Sequence, residues 1–284
     1  MDSDGSNAQS SIRPTTEPYA WNTKNLLARV GADLTASCSA AACVAPLVTV
    51  IDKAIMQNAS GQASLFSSLA TSCSTFLRRP HIIVFSRPFF LITLLYGGTY
   101  LAANTVDTLS AITTNQPASS ITSGVSKFAA SSTANICLCL FKDAKFAQLF
   151  GPSGPPRPFP SSSFALFIMR DYLTIFASFN IPPLLGPLIN RQLDPRSQLL
   201  LDGQTLAQFA APAAVQILNT PLHLLGLDLY NRQGTTVRWS QRWAIVRKNW
   251  AISAGARMCR ILPAFGIGGV LNASVRKNLM QSIE

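Results

Sequence analysis

The stretch Asn219-Thr220-Pro221-Leu222-His223-Leu224-Leu225-Gly226-Leu227-Asp228-Leu229-Tyr230-Asn231-Arg232-Gln233-Gly234 decides how the chain is read. It is an apolar helix with a proline inside it, running into a polar, charged end and then a glycine. Proline lacks the backbone donor a helix needs and kinks it, so the charged end is held at a fixed angle. Two fainter copies precede it. Ala45-Pro46 leads to Asp52-Lys53 and Gln57, and Asn135-Ile136-Cys137 leads to Lys142-Asp143 and Gln148.

Around these copies the composition is that of a membrane protein. Of 284 residues only 12% are charged and 48% are hydrophobic, whereas a soluble domain carries roughly 25% charged residues. The net charge of +11 is concentrated in particular segments, which bears on topology. No basic run is interleaved with stacking aromatics, so no nucleic-acid partner is expected. His81 and His223 are the only histidines, too few for a nucleophile–histidine–acid set, and His223 reads as a core or pore residue. Gly266-x-Gly268-Gly269 reads as helix packing rather than a phosphate loop. Neither an enzyme nor a cofactor is expected. The six cysteines lie in apolar stretches, and Cys137-x-Cys139 is too close for a zinc knuckle; they read as buried free thiols, with no metal.

In order, residues 1–24 read as a disordered polar tail without a signal peptide, and residues 25–284 as one domain. Six stretches are long and apolar enough for a bilayer, which takes about 20 residues as helix: 30–51, 89–106, 121–141, 164–188, 206–227 and 249–273. Most are rich in Ala, Ser, Thr, Gly and Cys, which lets membrane helices pack closely. The connections after the first, third and fifth stretches are basic, while those after the second and fourth carry little net charge. The positive-inside rule puts the basic connections on one face, and the termini and short loops on the other. Two basic connections hold amphipathic helices. One carries Leu65, Phe66, Leu69, Cys73, Phe76 and Leu77; the other carries Trp239, Trp243, Val246 and Trp250 between basic residues. The middle connection, Gly151 to Pro160, is too rich in proline and glycine for a helix. The expected fold is an all-α membrane protein. Six transmembrane helices form three pseudo-symmetric two-helix repeats, about 25–112, 113–200 and 201–284, with short amphipathic surface helices.

Pro46 and Pro221 as kinks at matching places, Arg170-Asp171 in the fourth stretch and Arg257-Met258-Cys259-Arg260-Ile261-Leu262-Pro263 in the sixth make this layout resemble the mitochondrial carrier family, as a divergent or degenerate member. The charged positions depart from that family. Val48, Cys139 and His223 stand where it has acids, and Ile51 and Gly226 where it has bases; only Lys142 is kept. The resemblance implies a multi-pass protein of the mitochondrial inner membrane, the outer being the other option. It also implies cardiolipin at the basic-side surface helices, beside the bilayer itself. The implied function is exchange of a small carboxylate or zwitterionic metabolite. The competing reading is a non-transporting scaffold, adaptor or insertion protein of the same fold, with a protein partner in place of a solute.

Two sets of residues are candidates for function. Asp52, Lys53, Lys142, Asp143, Asp228 and Arg232 could form a gate of ion pairs at the basic ends, or be ordinary interfacial charges. Arg87, Arg170, Asp171, Arg257 and Arg260, with Asp33 beside them, lie where ionisable groups are costly and usually functional. Two arginines on the last helix suit a carboxylate, which a guanidinium binds in a fork. The plainer alternatives are an Arg170–Asp171 pair with a purely structural role, and Arg257 snorkelling to the interface.

Overall fold

The computed structural model describes residues 21–121, 124–151, 157–194 and 203–283. Twenty residues of the expected tail and the centre of the Pro/Gly connection lie outside the described residues. The described elements are helical, with no strand among them: α1 (Leu26–Ala59), α2 (Leu65–Arg78), α3 (Pro80–Val84), α4 (Arg87–Thr114), α5 (Gly124–Phe150), α6 (Ser161–Gln192), α7 (Gly203–Ala214), α8 (Gln216–Asn231), α9 (Trp239–Cys259), a π-helical segment (Leu262–Gly268) and α10 (Gly269–Ile283). Four helical stretches are long and apolar enough to cross a membrane: Leu26–Ala59, Arg87–Thr114, Ser161–Gln192 and Trp239–Ile283.

The elements close into a ring. α1 packs on α4, α4 on α5, α5 more sparingly on α6, α6 on α7 and α8, and α8 on α9; the π segment and α10 return to α1. In α1 a stripe of small residues, Ala36, Ala40, Val44 and Val48, recurs every four positions and is wholly buried, the spacing that keeps side chains on one helix face. Its 34 residues extend about 51 Å at 1.5 Å each, well beyond the roughly 30 Å of a bilayer's hydrocarbon.

Burial departs from that of a water-soluble protein, with large apolar side chains outside and charged ones sharing the interior with the apolar core. Leu27, Leu34, Leu47, Phe90, Leu94, Phe176, Leu184 and Leu218 are exposed, while Asp33, Asp52, Asn104, Lys142, Asp143, Arg170 and Arg257 are buried. Lipid leaves apolar side chains content on the outside and drives polar ones into the bundle. Five of the six cysteines also face outward, and Cys139 alone is buried, which corrects the expectation that the thiols lie inside. Cysteine behaves as a small apolar side chain, so a lipid-facing surface suits it.

Both prolines that mark the sequence lie inside helices, Pro46 in α1 and Pro221 in α8. Pro221 cannot donate to the carbonyl four residues back, that of Ile217. The indole Nε1–H of Trp250 donates to that oxygen instead, at 2.8 Å, so the kink becomes the point where α9 docks. Here two expectations are corrected. The tryptophan-bearing helix is not a separate surface helix, because α9 runs from Trp239 into the last apolar stretch. The fifth stretch is also not one helix, since α7 ends at Ala214 and α8 starts at Gln216. The α2 helix forms as expected. Ser64 caps it by accepting from the Ser67 N–H, Leu65, Ser68 and Ser72 face inward, and Phe66 and Leu77 point out.

Candidate functional site

Six charged side chains from α1, α5, α6 and the end of α9 meet inside the ring. Lys142 Nζ lies 2.8 Å from Asp52 Oδ2 and also pairs with its neighbour Asp143. Arg260 Nη1 donates to both oxygens of Asp52, at 2.8 and 3.0 Å. Arg170 reaches Asp143 Oδ2 at 2.6 Å and grips Asp171 with two parallel bonds of 2.9 and 2.7 Å. His223 Nδ1 lies 2.8 Å from Arg170 Nη1. A guanidinium can only donate, so Nδ1 accepts and the imidazole is neutral with its proton on Nε2. Arg170 also stacks over the Phe167 ring, 4.9 Å from its centroid.

Gly226 explains how these groups fit. A side chain there would put its Cβ 2.6 Å from the Phe167 ring, so glycine lets Phe167 and the arginine above it come close to α8. Toward the basic ends of the helices an apolar cluster closes the ring, with Val48, Met56, Phe146, Phe167, Leu227 and Tyr230 at its centre. On the other side of the charges lies a cavity of about 160 Å³. Its wall includes Tyr96 and Thr99 of α4, Asn135 and Cys139 of α5, Asp171 and Thr174 of α6, Gln216 of α8, and Arg260. A larger hollow of about 480 Å³ lies away from this network, between the end of α1 and the α8–α9 turn. The smaller one is the better site because it abuts the buried ionic network, with Asp171 and Arg260 of that network in its wall.

A second polar layer ties α1, α4 and α10 together farther along the ring. Arg276 Nε lies 2.7 Å from Asp33 Oδ1, and Thr108 donates to Asp33 Oδ2 at 2.5 Å. Arg276 also donates to Thr108 Oγ1 and to the Ala118 carbonyl. Asn104 and Asn272 exchange two amide bonds of 2.9 Å each, and Asn104 donates to Ser37 as well. Beside this layer, Lys127 pairs with Asp107 at 2.5 Å.

The structure brings the two sets of sequence candidates into one network. Asp52, Lys142 and Asp143 of the expected gate sit directly against Arg170, Asp171 and Arg260 of the expected binding set. Arg257 lies one turn before Arg260, 2% exposed, with Nε and Nη2 both donating to Gln216 Oε1 at 3.2 and 3.0 Å. Buried in this way it does not snorkel. The other candidates lie elsewhere. Asp228 pairs with Arg242 at 2.5 Å and with Arg232 at 3.2 Å, at the end of α8. Lys53 lines a small hollow beside α2, and Arg87 is exposed in the first turn of α4. Sequence reasoning passed over Gln216, Thr108 and Arg276. The available signal was an aspartate and an arginine each about two turns inside a helix terminus, Asp33 in α1 and Arg276 in α10. Among the described residues no group of His, Cys, Asp or Glu is placed to hold a metal ion.

The family profile described as "probable citrulline exporter" matches residues 36–280, and no curated protein matches the chain. This finding corrects the resemblance to mitochondrial carriers, a different family. The inner-membrane location and the cardiolipin contact were drawn from that resemblance and lose their support with it. The physical reason is visible in the register. The space at Gly226 where a carrier would hold a gate base is filled by Phe167, and Cys137 stands where the second kinking proline would be.

Proposed function

The chain belongs to the family of probable citrulline exporters, and from that membership we propose that it carries citrulline, or an α-amino acid of similar shape, across a bilayer through the centre of its ring. The family is one of exporters, which supports reading the protein as a membrane transporter. The observation that carries the substrate reading is the pair of charges on the cavity wall. Asp171 is held from behind by Arg170, and Arg260 by Asp52. Each therefore keeps an orientation while offering its remaining capacity to a solute. An α-ammonium would sit on Asp171 and an α-carboxylate on Arg260, with Thr99, Asn135 and Thr174 as neutral partners for the polar end of the side chain.

In this reading all six rods of the ring cross the membrane: α1, α4, α5, α6, α7 with α8, and α9 with α10. That α5 and α7–α8 are less apolar is consistent with it. They carry Lys142, Asp143, Gln216 and His223 toward the interior, and a ring can shelter polar groups that a lone helix could not. The three-repeat layout read from the sequence belongs to the same proposal.

The test is export from liposomes. Purified protein in vesicles loaded with radiolabelled citrulline should release the label faster than protein-free vesicles. Asp171→Asn and Arg260→Gln should each slow release at least tenfold, while leaving unfolding in detergent within a few degrees of the parent. Release at the protein-free rate would overturn transport and favour the scaffold reading. Normal release from both variants would overturn the site.

A further inference from the structure

The charges in the ring do not balance. Around the cavity stand three buried carboxylates, Asp52, Asp143 and Asp171, and four cations, Lys142, Arg170, Arg257 and Arg260. The excess lies on Arg257. Among the described residues no carboxylate comes within ion-pair distance of it, and its hydrogen bonds go to the single oxygen Gln216 Oε1. A guanidinium has five N–H donors, so three are left over on a side chain that is 2% exposed. A buried arginine without a counter-charge is poor for stability. Such a group is better accounted for by an acceptor that comes and goes. Gln216 is held in turn, its Nε2 donating to the Pro212 carbonyl at 2.9 Å, and it forms part of the cavity wall. Arg257 is thus the cation behind the wall, one turn from the arginine assigned to the α-carboxylate.

We propose that Arg257, acting through the Gln216 amide in the cavity wall, adds to the neutral partners Thr99, Asn135 and Thr174 a charge that sets specificity at the far end of the substrate's side chain. It accepts amino acids whose side chain ends in a hydrogen-bond acceptor (a ureido, an amide or a carboxylate) and rejects those ending in a cation. This rests on the amino-acid reading of the same cavity. Specificity here comes from repulsion as much as attraction. A side-chain ammonium or guanidinium would approach a second buried positive charge behind the wall, while a ureido, amide or carboxylate oxygen would receive the second Nε2–H of Gln216 in the wall.

The test separates this idea from the transport reading by measuring binding as well as movement. Unfolding of the purified protein in detergent is followed with citrulline, glutamine, glutamate, norvaline, ornithine, lysine or arginine, and the same panel competes against labelled citrulline in vesicles. The first three should raise the unfolding temperature and compete, and the last three should do neither, by at least tenfold in concentration. Arg257→Gln should admit ornithine and lysine, and Arg257→Lys should keep rejecting them. If citrulline does not move but the acceptor-ended panel still stabilises the protein selectively, transport fails and this inference stands. If citrulline moves while ornithine competes equally in the parent protein, the inference is overturned whatever the variants do. It is also overturned if Arg257→Gln folds and leaves the panel unchanged.

Discussion

The two polar layers of the ring are built differently. The layer at Asp52, Lys142, Asp143, Arg170, Asp171 and Arg260 is almost wholly ionic and joins α1, α5, α6 and the end of α9. The layer at Asp33, Thr108, Arg276, Asn104 and Asn272 has one ion pair within a set of neutral bonds and joins α1, α4 and α10. Asp33 and Asp52 are nineteen positions apart on α1, about 28 Å along a helix, close to the thickness of a bilayer's hydrocarbon. In the second layer nearly every donor meets a matching acceptor, including a reciprocal amide pair, so it behaves as a clasp. The first layer pairs three cations with three carboxylates, but Arg257 beside it adds a fourth buried cation without a carboxylate among the described residues, and a cavity abuts them. That layer is costly to bury alone, and under the proposed function the solute completes it. Matched chemistry marks closure, and mismatched chemistry marks recognition.

The sharpest way to break this contrast is Arg170→Met. It leaves Asp143 and Asp171 buried without their shared cation, and losing one partner of a buried pair costs about 3–5 kcal/mol. A drop of that size in unfolding stability in detergent is expected, partly restored by adding Asp143→Asn. Little change would mean that water, not Arg170, satisfies these acids. A smaller loss, about 2 kcal/mol, is expected for Asp33→Asn, because Arg276 keeps Thr108 and the Ala118 carbonyl as partners and hydrogen bonds to charged groups are worth roughly 1.5–3 kcal/mol. The citrulline-dependent rise in unfolding temperature should survive this change, since the clasp does not touch the cavity; losing it would erase the distinction between the layers. The smallest effect is that of Arg87→Gln, at an exposed position outside both layers. Vesicle release and unfolding should match the parent, and a transport defect would bring the start of α4 into the site.

Much of the helical body was legible in the sequence, for physical reasons. Low charge, small-residue stripes such as Ala36 to Val48 and the alternation of basic connections all follow from the demands of a bilayer. So does the amphipathic pattern from Leu65 to Leu77. The individual members of the ionic layer were also legible, because an aspartate or arginine inside an apolar stretch stands out. How they combine was not. Asp52 and Arg260 are 208 positions apart, and spacing along one helix says nothing about which face meets which across a ring. So residues expected to do two jobs, gating and binding, turned out to be one network. Family membership was the largest miss. A kinked helix repeated at regular intervals is an architecture several families could share, and the charges that would have been diagnostic, at Val48, His223 and Gly226, already disagreed.

The π-helical segment at Leu262–Gly268 shows why Arg276 stayed hidden. Tyr100 donates to its Ala264 carbonyl at 2.6 Å, and Gly268 has no side chain because a Cβ there would collide with the same hydroxyl. A π turn closes over five residues instead of four, so it absorbs roughly one residue of phase. Arg260 and Arg276 are sixteen positions apart. On an unbroken α-helix at 3.6 residues per turn they would point about 160° away from each other. With one residue taken up by the wide turn, the angle falls to about 60°. A helical wheel drawn through this segment therefore sends Arg276 to the wrong side of the rod. A one-residue deletion here would read as a gap in an alignment, yet it would tighten the π turn and leave Asn272 and Arg276 facing the partners they have now.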